Sequence, residues 1–287
     1  MATVLSLCQS VAKECGFDAP TGIVGSTDPT AAQLLELLNR EGQHLHRRRG
    51  WTACQYEHLF TTSASQTQYA LPDDFSRQID QTHWNRGTHW PLIGPLTPSE
   101  WQQVKSGVIS SYPRQRYRIW GNSASKLYID PTPSTAESLV FEYISYGWVT
   151  AKQWVTGTVY AASATVSNNG NRYTTTAGGT AGATDPTHTS GSASDGGVTW
   201  VFADHGYATA VADTDIFILD EFLIQLGVAW RFLEAKGLDY TAKLAEYKAE
   251  VDKSIARDGG ARPLMLANYG SRRLLSPWST RDGNFGS

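Results

Sequence analysis

The sequence is poor in cysteine, in charge and in long apolar runs. Its three cysteines, Cys8, Cys15 and Cys54, have no C-x-x-C spacing, which excludes a disulfide framework and a zinc ribbon and suits a reducing cytoplasm. No apolar run approaches the ~18 residues of a membrane span, and no positive charge precedes Lys13 as it would in a secretory leader. We therefore expect a soluble chain with no membrane partner.

Excess positive charge is also missing. The 24 Lys and Arg residues face 27 Asp and Glu residues, for a net charge of -3. This balance argues against a protein that binds nucleic acid mainly through its phosphates. Trp, with 10 residues, and Tyr, with 13, are abundant instead. Such side chains favour either an aromatic β core or an amphipathic contact surface, and composition leaves both open.

Catalytic motifs are absent from the sequence. It has no nucleophile elbow, no phosphate-binding loop and no dinucleotide fingerprint. His44 and His46 lie two residues apart on a predicted helix and point to different faces, so we interpret them as surface histidines rather than metal ligands. We expect a protein that is not an enzyme and has no catalytic, cofactor-binding or metal site.

Paired carboxylates and one arginine run have local interpretations. Asp73–Asp74 and the pair Asp213 and Asp215 stand at turns or helix starts, where Asp caps the nearby backbone. Arg47–Arg49 lies in the last turn of a predicted helix, where cations complement the helix dipole. An acidic or nucleic-acid partner at that end of the helix is the alternative.

Two helices are predicted to open the fold. Apolar residues recur with helical spacing from Val4 to Cys15, and Gly16 follows as a stop. The next helix begins at the Asp28–Pro29 cap and runs to about Arg49.

Two further helices are predicted to close the fold as a hairpin. The first follows Asp215 and ends at Gly237, and Asp239 caps the second. A short helix through Val104 is predicted between the strands, because Thr97–Glu100 has the order of a capping box.

A small mixed β region lies between the helices, where the apolar period changes to two. The predicted strands are Tyr56–Phe60, Thr67–Leu71, Gln78–Trp84, Arg116–Trp120, Lys126–Ile129 and Leu139–Ser145.

The segment Val155–His205 differs in composition from its surroundings. It has only four charged residues and is rich in Gly, Thr, Ser and Ala. Such a composition also describes a linker. Regularly spaced aromatics and the turn Asp195–Gly197 favour a folded, inserted all-β module, which we call the insert.

These patterns predict an α+β fold: a helical bundle with a hairpin, a small mixed β region, the insert and an extended C-terminal arm. The predicted boundaries are 1–154 and 206–258 for the two parts of the core, 155–205 for the insert and 259–287 for the arm.

The arm is basic and studded with apolar residues. Residues 257–287 carry five Arg and two Asp and show no periodicity. We expect this segment to fold only against a neighbouring molecule. Its candidate contact residues are Leu264, Met265, Leu266, Tyr269, Arg272, Arg273, Leu274, Leu275 and Trp278.

One passage resembles a known family. Residues Tyr69–Phe75, with the sequence YALPDDF, resemble the Y-x-LP-x-DF passage of tailed-phage head-to-tail adaptors, the tail accessory or head-completion factors of short-tailed phages. Lys126–Pro133 also matches, and the resemblance covers about 1–154 and 206–258. The motif itself builds structure: the strand ends at Leu71–Pro72, and Asp73–Asp74 is expected to cap the turn that returns Phe75 to the sheet. The motif residues are Tyr69, Leu71, Pro72, Asp74 and Phe75.

The resemblance implies a virion protein at the head-tail junction, assembled in the host cytoplasm. Members form a ring, usually a dodecamer, that docks under the portal protein and prolongs the DNA channel. A tail nozzle or tail tube protein would dock below, and DNA would pass through the lumen without specific binding. The arm would reach the portal.

Two alternatives remain for function. The insert loosely resembles aromatic β modules of phage structural proteins and of chitinase-type carbohydrate-binding modules. Tyr160, Tyr173 and Trp200 would then contact a glycan or a neighbouring protein, although the same residues can form a small core. A glycan-binding tail protein is thus the second hypothesis, and a cell-wall hydrolase is the third.

Overall fold

A computed structural model describes residues 1–107, 114–121 and 125–259. Five α-helices and a short 3-10 turn, Thr52–Cys54, form within these residues. The helices are α1 (Val4–Glu14), α2 (Pro29–Arg48), α3 (Pro98–Ser106), α4 (Glu221–Ala235) and α5 (Thr241–Arg257).

Sixteen short strands accompany the helices in the described residues. They are β1 (Gln55–Thr61), β2 (Gln68–Ala70), β3 (Phe75–Gln78), β4 (Trp84–Asn85), β5 (Trp90–Pro91), β6 (Arg116–Trp120), β7 (Lys126–Asp130), β8 (Ser138–Ser145), β9 (Val149–Thr150), β10 (Val159–Tyr160), β11 (Thr165–Asn168), β12 (Asn171–Thr175), β13 (Gly179–Thr180), β14 (Ser192–Asp195), β15 (Val198–Asp204) and β16 (Ile216–Phe217). The expected α+β class is confirmed.

Helices α1, α2, α4 and α5 pack around one apolar core, which we call the helical body. Polar side chains satisfy the free N–H groups at the helix starts: Thr3 with Ser6 at α1, Asp28 at α2 and Asp220 at α4. Each apolar stripe faces inward, and the short pair β9–β16 closes one side. The predicted starts of α1 and α2 agree with these caps, whereas α4 begins at Glu221, six residues after Asp215.

The β body is built from two antiparallel sheets. Strand β8 is central to a five-stranded sheet, pairing with β1 along one edge and with β3 and β4 along the other. The second sheet has the order β2-β7-β6. Aromatic and aliphatic side chains from both sheets share one core, including Tyr117, Phe141 and Tyr143. The register of the strands determines which side chains form this core, because a shift of one residue would turn every side chain of a strand to the opposite face of the sheet.

The insert has an apolar core of its own. Its main sheet has the order β11-β12-β15-β14, and β10 pairs with β13 beside it. The turn Gly196–Gly197 joins β14 to β15, as the sequence predicts. Trp154 from before the insert packs against this core. The chain enters and leaves at one point, since Val149 pairs with Tyr207.

One strand prediction is wrong. Residues Gln78–Trp84 do not form a single strand: β3 ends at Gln78, and β4 begins at Trp84. A turn separates them, with Gln81 at a φ of 68°. Hydrophobic alternation alone does not reveal such a turn, because Ile79 and His83 still face inward on either side of it.

Candidate interaction surfaces

An apolar stripe crosses the outer face of the five-stranded sheet. Leu59 lies opposite Val140, Val140 opposite Trp84, and Trp84 opposite Pro91, so all four side chains share one face. Leu59 is 54% exposed and Trp84 38% exposed. We call these four residues the outer stripe. Ile93, two residues after Pro91, is also exposed and extends it.

A polar border flanks the outer stripe. Arg86 and Glu57 form an ion pair of 2.6 Å on the same sheet, and both side chains are about half exposed. Strand β1 pairs only with β8 among the described residues, which leaves its other edge free of backbone partners there. An apolar centre with a charged border is the usual composition of a protein contact surface.

A second candidate surface is a cleft of about 310 Å³ beside β4 and β5. The guanidinium of Arg114 lies over the Trp90 ring at 4.4 Å. The carboxylate of Glu137 accepts hydrogen bonds from the Asn85 and Gln115 amides at 2.6 and 2.7 Å. Asn85 is buried, so these hydrogen bonds join the wall of the cleft to the interior of the β body.

A third candidate surface is a cleft of about 350 Å³ in the helical body. We call it the root cleft, because Gly259, the last described residue, lies on its rim. Its floor is apolar and its rim is polar. The lining residues are Leu45, Trp51, Thr52, Ala53, Ile218, Leu219, Asp220, Leu223, Ser254, Arg257, Asp258 and Gly259. The predicted arm residues, Leu264 to Trp278, lie outside the described residues.

The YALPDDF passage serves the β body. Tyr69 is buried and its hydroxyl donates to the carbonyl of Gln66 at 2.8 Å, while Leu71 and Phe75 pack against the β core. The Phe75 N–H donates to the Pro72 carbonyl, which closes the expected turn. The expected capping by Asp74 is wrong, because its buried carboxylate instead accepts from the Tyr143 hydroxyl at 2.8 Å.

His46 is not a surface histidine, contrary to expectation. It is 6% exposed, and its Nε2 lies 2.7 Å from the Ser145 carbonyl, to which it donates. Burial lowers the pKa of His46. The residue joins α2 to β8, while His44 is exposed as expected. The sequence around His46 does not reveal that it is buried, because its partner Ser145 lies 99 residues further along the chain.

The remaining charged predictions have mixed outcomes. Asp215 accepts from two nearby N–H groups, those of Val211 and Ala212, at 2.8 Å each, as expected of local capping. Asp213 instead holds a distant loop, accepting from the backbone of Ile23 and Val24.

Two arginines of the run Arg47–Arg49 bind carboxylates of the closing hairpin. Arg48 pairs with Asp252, and Arg49 pairs with Asp258. Arg49 also donates to the carbonyls of Ile255 and Asp258 and so caps the end of α5. These two side chains therefore tie α2 to α5, which neither interpretation of the run anticipated.

The insert's aromatic residues form its core. Tyr160 is 3% exposed, and Tyr173 and Trp200 are fully buried. Their ring faces are therefore covered within the insert itself. Of the two interpretations of these residues, the packed core is the one observed.

Sequence reasoning missed two buried polar groups. Glu41 is fully buried in the helical body between Arg231 and Tyr247. His83 is buried in the β core, stacked at 3.7 Å on Tyr117 and at 4.8 Å on Phe141. Burial lowers the pKa of His83 to about 3. Neither group is part of a metal cluster: within the described residues, no three ligand side chains converge.

No helix in the described part of the chain is long and apolar enough to cross a membrane. The features that stand out are an α+β scaffold, buried polar pairs that hold it together, and three surfaces suited to contacts. Together they describe an α+β scaffold with candidate contact surfaces among the described residues.

Comparison with known families assigns the chain more closely. The family model described as SU10 adaptor protein matches residues 2–176. This span exceeds half of the chain, and the protein belongs to this family of phage head-to-tail adaptors. The match continues past residue 154 into the insert and stops before the closing hairpin, a different extent from the one expected. No curated protein matches the sequence significantly.

Proposed function

We propose that the chain forms a ring that joins the portal vertex of a phage head to the tail and prolongs the DNA channel. Its partners would be further copies of itself, the portal protein and a tail nozzle or tail tube protein, at the head-tail junction of a virion assembled in the host cytoplasm. The observation that carries this proposal is the SU10 adaptor match over residues 2–176.

The outer stripe supports assembly through protein contacts. A row of apolar side chains on a sheet face, with Leu59 and Trp84 substantially exposed, is unfavourable in water and is relieved by burial against a neighbour. The Glu57–Arg86 border supplies the polar rim that such contacts usually have. We assign this stripe to the contact between adjacent subunits of the ring.

Charge supports a lumen that does not hold DNA. The chain carries -3 in total, and residues 257–287 carry +3, which leaves -6 on residues 1–256. A basic lumen would bind the duplex by releasing counterions and would slow its passage. The proposed ring therefore lets DNA slide without specific binding.

The arm is proposed to contact the portal. Residues 260–287 carry the apolar and basic candidates, such as Leu274 and Trp278. The residue before the arm is held in place: Asp258 forms an ion pair with Arg49, and its carboxylate accepts a hydrogen bond from the Thr52 hydroxyl at 2.5 Å. A firmly held base would let the arm transmit its contact to the whole subunit.

Imaging and sedimentation test this function. Negative-stain images of the purified protein with its portal should show a ring below the portal, and the two proteins should co-sediment. A chain ending after Gly259 keeps the Asp258 contacts, so it should stay folded and lose portal binding. Undiminished co-sedimentation of the shortened chain would refute the arm's role, and a protein that remains monomeric with its portal would refute the ring.

A further inference from the structure

The second sheet of the β body presents two cations and two aromatic rings on its outward face. Residues of β6 and β7 alternate between the β core and this face. Strand pairing places Arg118 opposite Tyr128 and Trp120 opposite Lys126, so the cations lie on one diagonal and the rings on the other. We call these four residues the cationic face. It lies on a different sheet from the outer stripe.

The aromatic rings fix the shape of the cationic face. The Arg118 guanidinium lies over the Trp120 ring at 5.1 Å, and the centroids of the Trp120 and Tyr128 rings are 5.6 Å apart. At one end Trp101 of α3 packs edge-on against Tyr128 at 6.3 Å, whereas Trp120 at the other end is 55% exposed. A stacked guanidinium loses less freedom on binding, because its plane is already oriented. The face is therefore arranged for contact before a partner arrives.

Positive charge on the cationic face is not neutralised by the chain itself. Within the described residues, the charged groups of Arg118 and Lys126 take part in no hydrogen bond or ion pair. Asp130 is the single carboxylate of β2, β6 and β7, and Lys105 of α3 holds it in an ion pair. Both cations of the face therefore remain available to anionic groups of another molecule.

The spacing of the two cations suits an extended chain. Diagonal side chains on neighbouring strands lie ~7–8 Å apart, and residues i and i+2 of an extended chain lie about 6.6–6.8 Å apart on one side. A segment with acidic residues at alternate positions can therefore reach Arg118 and Lys126 at once. Arginine binds a carboxylate through two parallel hydrogen bonds, while lysine supplies a point charge.

The composition of the cationic face favours a protein over a nucleic acid. Trp, Tyr and Arg are the residues that carry most of the binding energy in protein interfaces. The whole chain carries -3, and the resulting field opposes the approach of a polyanion such as DNA or RNA. We propose that the cationic face binds an acidic, extended segment of a partner protein, with carboxylates on Arg118 and Lys126 and an apolar side chain against Trp120. The proposal concerns the single subunit and does not depend on ring formation or on portal binding.

Peptide binding to the full-length protein tests this proposal. The probe is a short fluorescent peptide with Glu at two alternate positions, Leu at the next alternate position and Thr between them, and its matched control carries Gln in place of Glu. The face variant is Arg118→Gln/Lys126→Gln. The control variant Lys13→Gln/Lys248→Gln removes the same charge from exposed positions of the helical body. Circular dichroism checks that each variant is folded.

Fluorescence anisotropy measures the dissociation constant. The Glu peptide should bind the unaltered protein and the control variant alike and bind the face variant about tenfold or more weakly, because two charged contacts are lost. Trp120→Ser should weaken binding by a similar factor without changing the net charge, which separates the face from general electrostatics. The Gln peptide should not bind measurably.

Other outcomes would overturn the proposal. Equal affinity for the face and control variants, or no binding of the Glu peptide, would show that the face does not take acidic segments. A single-stranded oligonucleotide that binds more tightly than the Glu peptide, and only when Arg118 and Lys126 are intact, would assign the face to nucleic acid instead. Self-association of the unaltered protein that disappears in the face variant, measured by sedimentation velocity, would assign the face to a second copy of the chain instead.

Discussion

Arg231 donates a hydrogen bond of 2.7 Å from its Nε to the Glu41 carboxylate inside the helical body, where the Glu41 side chain is fully buried. The Tyr247 hydroxyl donates to the other carboxylate oxygen at 2.5 Å. One acidic residue of α2 thereby ties together α4 and α5. Gly227 makes this approach feasible, because a side chain there would overlap the Glu41 carboxylate.

Removing one member of this pair should destabilise the protein strongly. Glu41→Leu leaves the Arg231 guanidinium buried and uncompensated, for an expected loss of about 3–5 kcal/mol of unfolding free energy. The double change Glu41→Leu/Arg231→Met should cost clearly less than the sum of its single changes. Urea unfolding of all four proteins measures the coupling.

The exposed pair Glu57 and Arg86 provides the control. Glu57→Gln should cost at most about 1 kcal/mol, because water screens this pair. Additive costs at Glu41 and Arg231 would show that the buried pair is not coupled.

Gly42 is predicted to be intolerant of alanine. Alanine normally favours a helix over glycine by up to about 1 kcal/mol. Here the added Cβ would overlap the Trp148 ring, which packs against α2 and donates from its Nε1 to the Ala208 carbonyl. We expect Gly42→Ala to destabilise the protein by about 1–3 kcal/mol or more in thermal or urea unfolding. Glu36→Ala, at an exposed site of the same helix, should be neutral, and a stabilising Gly42→Ala would disprove this packing argument.

His83 is predicted to make stability sensitive to acid. In the unfolded chain this imidazole takes up a proton at its ordinary pKa of about 6.5, whereas burial holds the folded pKa at about 3. The unfolded state therefore binds more protons between these values, and stability falls as the pH drops through this window. The residue contributes a slope of up to about 1.4 kcal/mol per pH unit.

His83→Phe should flatten that decline. Phenylalanine keeps the stacking on Tyr117 and Phe141 and brings no titrating group, so unfolding free energies measured from pH 7 to pH 4 should fall less than in the unaltered protein. His89→Asn, at an exposed turn, serves as the control. Parallel pH profiles for His83→Phe and the unaltered protein would rule out this role.

Local chemistry made much of the fold predictable. The N-caps Asp28 and Thr97 and the stop at Gly237 depend on residues next to them in sequence, and the helices begin and end as they indicate. The turn at Gly196–Gly197 was predictable for the same reason.

Partners distant in sequence made the rest unpredictable. The sequence predicts that Asp74 caps a turn, but the fold places it against Tyr143. The sequence also predicts that Arg49 complements the dipole of α2, but the fold places it against Asp258 at the end of α5. The outer stripe depends on register across four strands, so no single segment of the sequence displays it.

The outer stripe gives a prediction about assembly. The change Leu59→Ser/Trp84→Ser removes exposed apolar area without touching the buried core, so melting should shift little while ring formation weakens. Trp120→Ser is the matched control, because Trp120 is 55% exposed but lies on the other sheet. Sedimentation velocity reads the assembly state. If both variants assemble equally well, the stripe is not the subunit contact.

The last prediction concerns the insert as a separable module. Trp154 packs into the insert's core, so a clean deletion removes Lys152–Asp204 rather than starting after Trp154. The two chain segments that flank the deletion already lie side by side, because the Tyr207 N–H donates to the Val149 carbonyl at 2.6 Å. A Gly/Ser loop of about five residues can therefore bridge the gap in the manner of a hairpin. The body loses the hydrogen bonds of Arg172 and Thr165 with Tyr207, of Ser167 with the Ala151 carbonyl and of Gly170 with His205, and it keeps the residues of the His205–Tyr56 stack.

We expect the shortened protein to fold, assemble and bind portal, because the helical body, the β body and the insert each have their own apolar core. Loop-closure entropy changes only slowly with length, so the shorter connection costs little. Circular dichroism melting, sedimentation velocity and co-sedimentation with portal provide the readouts. The family match reaches residue 176 and so includes β11 and β12. A deletion variant that unfolds or stays monomeric would show that these strands belong to the adaptor core and that the boundary at residue 154 is misplaced.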